Sequence, residues 1–151
     1  MYNTALRMMG NEEEAEDILQ EAFLSAFRNI SSYREDASFG SWLKRIVVNK
    51  SITLLNKRKL MEEVNENTAG EYFYEWDLQE PYFTPKSDEI RAAVRQLPDG
   101  FRSVLTLYLF EGYDHGEIAG IMGISESTSK SQYNRAKKRL REILKKSVNY
   151  G

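Results

Sequence analysis

Residues 114–139, DHGEIAGIMGISESTSKSQYNRAKKR, predict two helices joined by a very short turn. Asp114 with Glu117 three residues later has the spacing of a capping box, which opens a helix. Gly123 can end that helix in the left-handed conformation, and Ser125 can cap the next one. Two helices connected so closely are typical of a helix-turn-helix motif.

The crossing of these two helices needs small residues, and Ala119 and Gly123 supply them, with Ile124 as an apolar plug beneath the turn. The second helix then projects its first turns outward, which suits the major groove of DNA. A pair of helices that only pack together would show a similar pattern. The side chains expected to read the groove or hold its flanking phosphates, called here the groove residues, are Thr128, Lys130, Ser131, Gln132, Arg135 and Lys138.

A second helical pattern begins near the N-terminus. Asn11 followed by Glu14 is an N-cap signal, so a helix is expected to start at about residue 12. Its apolar positions recur every three or four residues and predict a core-facing side made of Ala15, Ile18, Leu19, Ala22, Phe23 and Phe27. The other side carries Asp17, Gln20, Glu21 and Leu24, called here the Asp17 face. Such a face is either solvated surface or a dock for a partner helix.

Residues 39–59 carry a third helical pattern, whose core side is predicted to hold Phe39, Trp42, Leu43, Ile46 and Val47. Its other side is basic. Lysine and arginine hold DNA by its phosphates, whereas an asparagine can read a base edge. The candidate DNA-binding residues here, called the basic face, are Lys44, Arg45, Asn49 and Lys50.

Two further helices are predicted between residues 87 and 112. Ser87 or Asp88 can cap the first, which the Pro98-Asp99-Gly100 turn stops. The second spans residues 101–111 and ends at Gly112, a suitable left-handed cap.

The composition excludes several kinds of site. The chain has 151 residues, no cysteine and one histidine, His115. Disulfides, thiolate zinc sites and multi-histidine metal sites are therefore excluded, and no cofactor or metal is expected. Apolar runs such as residues 104–110 are too short to span a membrane, and no leader opens the chain, so we expect a cytoplasmic protein without membrane insertion.

Charge is arranged in blocks that the net value of −2 conceals. Residues 36–60 hold six basic residues and one acidic residue, and residues 91–151 hold eleven basic and six acidic. Between them, residues 61–90 hold nine acidic residues and one basic. We therefore expect an all-α protein of two small helical domains, residues 1–60 and 87–151, joined by an acidic linker at 61–86. Its aromatic residues, expected to pack the domains together or to join a partner interface, are Tyr72, Phe73, Tyr74 and Trp76.

Three stretches, in this order, resemble the extracytoplasmic-function (ECF) group of bacterial sigma factors, the promoter-recognition subunits of RNA polymerase. The first two are residues 11–23 and residues 39–49. The third is the series LPDGFR at 97–102, EIA at 117–119, GIS at 123–125, TSKS at 128–131 and RA at 135–136.

The resemblance implies a role for each surface. The Asp17 face would bind core RNA polymerase. The basic face would open and read the −10 element of promoter DNA, with Asn49 near the opening site and residues 29–38 receiving an unstacked base. The groove residues would dock on the −35 element, and the acidic linker would run through the polymerase's nucleic-acid channel. An inhibitory partner, an anti-sigma factor, is also expected.

The chain departs from the family pattern in three places. Ser129 stands where a valine is usual, and Gln132 where an arginine is usual, so base preference cannot be carried over. The chain also opens in the middle of the helix with which members normally begin. Part of that helix is therefore expected to be missing, leaving lower stability or an exposed apolar patch in the first domain.

Three other classes of function stay open. A stand-alone helix-turn-helix regulator would bind duplex DNA without polymerase and would give the Asp17 face no role. An interaction protein with a merely solvated basic helix would bind no DNA. An enzyme has the least support, because no phosphate-binding glycine loop is present and His115 beside Asp114 reads as a capping neighbour.

Overall fold

The computed structural model describes the backbone of residues 1–62 and 86–149 and the side chains of residues 1–58 and 86–146. All regular structure in these residues is helical, which confirms the predicted all-α fold. In the same two ranges no helix combines the length and apolar character that crossing a membrane requires. The four aromatic residues of the predicted linker lie outside the described residues.

Three helices form the N-terminal unit: α1 (Tyr2–Met9), α2 (Glu12–Arg28) and α3 (Phe39–Glu62), with a 3₁₀ turn at Ile30–Ser32. Gly10 ends α1 with a φ of 72°, and its N–H donates to Leu6 O at 2.8 Å. The Asn11 side chain then accepts the Glu14 N–H at 3.2 Å. The predicted start of α2 is therefore confirmed, and the left-handed glycine lets α1 and α2 fold back on each other.

Residues 86–149 contain α4 (Ser87–Arg95), α5 (Asp99–Leu105), α6 (His115–Met122) and α7 (Glu126–Asn149). The N-cap of α4 is Lys86, so the predicted caps Ser87 and Asp88 are wrong; Glu89 instead accepts the Lys86 N–H at 3.2 Å. The helix predicted at 101–111 begins earlier, at Asp99, and continues into a π-helical segment, Thr106–Phe110.

The helix-turn-helix connection follows the predicted caps. Asp114 Oδ1 accepts the Glu117 N–H at 2.7 Å, and Ser125 Oγ accepts the Thr128 N–H at 3.1 Å. Gly123 ends α6 with a φ of 67°. A Cβ at Gly123 would meet no atom within 4 Å, so the expectation that this residue must be small for a close helix approach is wrong. Its backbone conformation is what favours glycine.

The two helical units pack against each other through one apolar core, called here the shared core. From the N-terminal unit it takes Ala5 and Met8 of α1 and Val47 of α3, among others. The C-terminal unit contributes Leu107 and Ile118, both fully buried. A second core, made within the C-terminal unit, consists of Val94, Leu97, Leu105 and Ala136. The shared core thus fixes the position of α6 relative to α3.

The predicted core positions of Phe23 and Phe27 are wrong, because their side chains are 46% and 76% exposed. Each follows a buried alanine by one residue and so lies about 100° further around the helix. The buried residues of α2 are Ala15, Ile18, Ala22 and Ala26.

Leu107 and Leu109 offer a matched test of the shared core, since Leu107 is fully buried and Leu109 is 52% exposed. Leu107→Ala is expected to lower the free energy of unfolding by about 2–5 kcal/mol, because it leaves a cavity in the core. Leu109→Ala is expected to lower it by less than about 1 kcal/mol. Urea denaturation followed by circular dichroism measures both values, and equal losses would contradict this placement of Leu107.

Candidate nucleic-acid and partner surfaces

The Asp17 face lies on the solvent side of α2. All four of its side chains are exposed, and Leu24 is 56% exposed. Phe27 follows Leu24 by three residues and extends the same face by almost one turn. Sequence analysis placed Phe27 in the core because it continues the three- and four-residue spacing of the apolar positions. An exposed leucine and phenylalanine beside acidic and amide groups can hold the apolar side of a partner helix and hydrogen-bond to its rim.

The basic face lies on α3, at the junction between the two helical units. Arg45 and Asn49 are exposed, whereas Lys44 and Lys50 are half-buried. Lys44 Nζ lies 3.0 Å from Glu111 Oε2, at the end of the π-helical segment. The Arg45 guanidinium lies 5.4 Å from the ring centroid of Tyr113. Part of this candidate DNA surface is therefore already in contact with the other unit, a contact that sequence analysis did not predict.

Three aromatic rings cluster where the loop at 29–38 enters α3. The ring centroids of Tyr33, Phe39 and Trp42 lie 5.3–5.7 Å apart. Phe39 was predicted to belong to the core but is 46% exposed, and Trp42 is half-buried. The Tyr33 hydroxyl donates to Ala37 O at 2.6 Å and so holds the loop against the cluster. Exposed aromatic faces of this kind can stack on unpaired bases.

The groove residues share the outer side of α7, to different degrees of exposure. Thr128, Lys130 and Lys138 are exposed, whereas Ser131, Gln132 and Arg135 are half-buried. The Thr128 hydroxyl accepts a hydrogen bond from Ser125 Oγ at 2.7 Å, so it also belongs to the cap of α7. Lys130 pairs with Glu126 one turn earlier, at 3.6 Å.

Ser129 faces the interior, although it lies between two groove residues. It is fully buried, and its Oγ lies 2.8 Å from Nδ1 of His115, the first residue of α6. The His115 ring stacks on Tyr108, with centroids 4.5 Å apart. The serine in place of the usual valine is thus explained by a polar partner on the preceding helix, because a buried hydroxyl requires one.

Electrostatics of the helix-turn-helix follow from the same packing. The backbone N–H of Glu117, donating to Asp114, lowers the pKa of that carboxyl. Lys137 Nζ lies 4.5 Å from the ring centroid of Tyr133. Burial, with Arg141 adding repulsion, lowers the pKa of Lys137, and burial also raises the pKa of Tyr133. The Lys137 side chain is therefore half-buried, whereas that of the neighbouring Lys138 is exposed.

Among the described residues, no group of three or more histidine, aspartate or glutamate side chains is arranged to hold a metal ion.

Comparisons with known proteins match both helical units. The family described as Sigma-70 region 2 matches residues 1–60, and the family described as Sigma-70, region 4 matches residues 87–140. The RNA polymerase sigma-H factor of Pseudomonas aeruginosa is 33% identical over 149 residues, which cover 92% of this chain and 77% of the relative. The ECF RNA polymerase sigma factor SigM of Bacillus subtilis is 31% identical over 150 residues, which cover 99% and 91%.

Solved structures show the same fold. The sigma factor RpoE of Bartonella quintana, in complex with the anti-sigma factor NepR, superposes with a TM-score of 0.63 at 24% identity, covering 95% of this chain and 89% of that chain. CnrH, in complex with the cytosolic domain of CnrY, gives a TM-score of 0.53 at 22% identity, covering 95% and 80%. Together with the family matches and the relatives aligned along almost the whole chain, these likenesses show that the protein belongs to the ECF group of sigma-70 RNA polymerase sigma factors.

Proposed function

We propose that this ECF sigma factor binds core RNA polymerase through the Asp17 face and directs it to promoter DNA through the basic face and the groove residues. Residues 1–60 would form the polymerase-binding and −10 domain, 61–86 the acidic linker, and 87–151 the −35 domain. The observation that carries the proposal is the presence, on one chain, of an exposed acidic, amide and leucine face and two separate basic helices.

Polymerase binding is supported by the exposure of the whole Asp17 face. Leu24 and Phe27 supply apolar area, while Asp17, Gln20 and Glu21 supply acceptors and a donor along one side of α2. A partner helix with apolar and basic residues fits that combination. A regulator that binds DNA alone has no use for such a face.

Promoter opening is assigned to the start and middle of α3. Lys44, Arg45 and Lys50 would hold phosphates, and Asn49 would read a base edge. The exposed ring of Phe39 would stack on a base that leaves the duplex. Unstacking a base costs a few kcal/mol, which contacts with the captured base would offset. Opening of this kind needs no covalent step, and we assign the chain no enzymatic activity.

The groove residues would dock α7 on the −35 element. Lys130, Arg135 and Lys138 would hold phosphates, and Thr128, Ser131 and Gln132 would approach base edges. This work would take place in the cytoplasm with the polymerase. An anti-sigma partner would cover the Asp17 face and the DNA faces. The presence of such a partner is supported by the RpoE of Bartonella quintana, which has the same fold and is in complex with an anti-sigma factor.

Gln20→Ala and Leu24→Ala test the polymerase contact. Each is expected to weaken capture of core RNA polymerase by about tenfold, because few residues carry most of the energy of an interface. Glu12→Ala is the matched control, since Glu12 is also exposed on α2 but lies about 80° around the helix from Gln20 and about 120° from Leu24. Titration of core polymerase with fluorescently labelled chain measures the affinity. Equal affinities for all variants would favour the stand-alone regulator.

Salt dependence tests the −35 contact. Lys130, Arg135 and Lys138, with Lys137 and Arg139 beside them on α7, would hold four or five phosphates. The affinity for duplex promoter DNA is therefore expected to fall with salt with a log–log slope of about −4. Lys138→Gln should reduce the slope by about 1, because it removes one phosphate contact. Arg91→Gln, the same change of charge on exposed α4, should leave the slope unchanged. Fluorescence anisotropy at several salt concentrations measures it, and a slope near zero would count against the assignment.

A further inference from the structure

We propose that His115 and Ser129 form a positioning pair, which fixes how α7 is presented to the −35 element and so influences base preference without touching a base. His115 is the first residue of α6, and Ser129 lies in the first turn of α7. The effect on base preference rests on the docking of α7 proposed above, whereas the hydrogen bond between the two residues does not.

The pair is joined across the helix-turn-helix by a hydrogen bond. Ser129 Oγ lies 2.8 Å from His115 Nδ1, and the Ser129 side chain is fully buried. A buried hydroxyl that loses its partner costs free energy, so the bond resists breaking while the two helices stay packed. Hydrogen bonds also depend on direction, whereas apolar contacts between helices do not. The pair therefore restricts the rotation of α7 about its own axis.

The imidazole of His115 is itself held in place. Its ring stacks on Tyr108 of the π-helical segment, with centroids 4.5 Å apart and planes 16° apart. Tyr133, one turn after Ser129 on α7, has its centroid 4.5 Å from that of Tyr108 and 5.7 Å from that of His115. His115 cannot follow a turning α7 without losing this stacking. The same cluster thus anchors α7 at two successive turns.

Rotation of α7 matters because the neighbours of Ser129 are groove residues. Thr128 and Lys130 lie about 100° to either side of it around the helix. A turn of about 10° moves a side-chain atom that lies about 5–6 Å from the helix axis by about 1 Å. The N···O distances of hydrogen bonds span only about 2.7–3.2 Å. A small rotation is therefore sufficient to break a contact with a base edge.

Ser129 occupies a position at which the family pattern has valine, whose side chain has no donor or acceptor. The usual residue can hold the recognition helix by packing alone. In this chain a bond to one atom of α6 takes over part of that task. Base preference is therefore expected to depend on His115, although His115 lies on α6 and outside the groove residues.

The hydrogen bond can be tested without DNA. His115 is the only histidine of the chain, so the NMR signals of its ring nitrogens are assigned without ambiguity. The Nδ1 signal should shift in Ser129→Ala, because the partner of that nitrogen is removed. Ser103→Ala is the matched control, since Ser103 is also buried in the same unit but donates to Asp99 O within α5. An Nδ1 signal that is the same in both variants and in the wild type would overturn the pair.

Two substitutions of His115 separate the hydrogen bond from the stacking. His115→Asn keeps a polar atom in the place of Nδ1 and removes the ring. His115→Phe keeps a ring against Tyr108 and removes the nitrogen. If the pair positions α7, His115→Asn should keep the wild-type base preference, whereas His115→Phe and Ser129→Ala should both change it. The reverse result would show that stacking, and not the pair, positions α7.

Base preference is measured with core RNA polymerase, the full chain and a library of duplex promoters randomised at both elements. A barcode in the transcribed part of each template identifies the promoters that are used. In His115→Phe and Ser129→Ala, the ratio of preferred to competing bases should fall about fivefold at one −35 position or more. Ratios at the −10 element should stay unchanged in every variant, and Ser103→Ala should change neither element. A variant that only loses stability makes fewer transcripts from all promoters alike.

The double variant His115→Phe with Ser129→Ala keeps the test decisive if a single variant does not fold. It removes both partners of the hydrogen bond, so that no buried polar group is left unpaired, and it is expected to stay folded. Its base ratios should match those of either single variant, because the two residues act as one unit. Circular dichroism checks the folding of each variant. Wild-type base ratios from the folded double variant would overturn the proposal.

The wild-type chain separates failure of the positioning role from failure of the proposed function. If the wild-type holoenzyme selects bases at the −35 element and all variants select the same bases equally strongly, only the positioning role is wrong. If the wild-type holoenzyme makes no transcripts, or uses all −35 sequences equally, the docking of α7 fails and the positioning role fails with it.

Discussion

Burial of Leu107 and Ile118 against α1 and α3 is the interaction on which the arrangement of this molecule depends. Each helical unit is small, and a small unit buries too little apolar surface to have a large stability margin. The shared core adds that area by letting the units complete each other. Hydrophobic burial has no direction, so the orientation of the units depends on the polar contacts between them, which join Arg102 to Met8 O, Arg58 to Asp99 and Lys44 to Glu111. Apolar residues therefore hold the two units together, whereas polar residues set their relative orientation.

Sequence reasoning located the starts of α2, α6 and α7 because a cap is a local event, although it misplaced the starts of α4 and α5 by one or two residues. Asn11, Asp114 and Ser125 each bind a backbone N–H three residues away, and Gly123 ends its helix by its own backbone conformation. The larger failures concern which side of a helix is buried. Phe23 and Phe27 follow the helical period as well as Ala22 and Ala26 do, and the alanines are buried since they let α2 approach its neighbours. Apolar character alone cannot reveal that choice.

The sequence predicted which residues form each candidate surface, but it did not predict which residues of the other unit contact them. The basic face was recognised from charge and period along one helix, whereas Glu111 lies 67 positions after Lys44 and no local pattern links them. The substitution at Ser129 was visible in the sequence and suggested an altered base preference. The structure gives it a different meaning, because His115 is its hydrogen-bond partner inside the motif. Pairs distant in sequence become informative only once the fold brings them together.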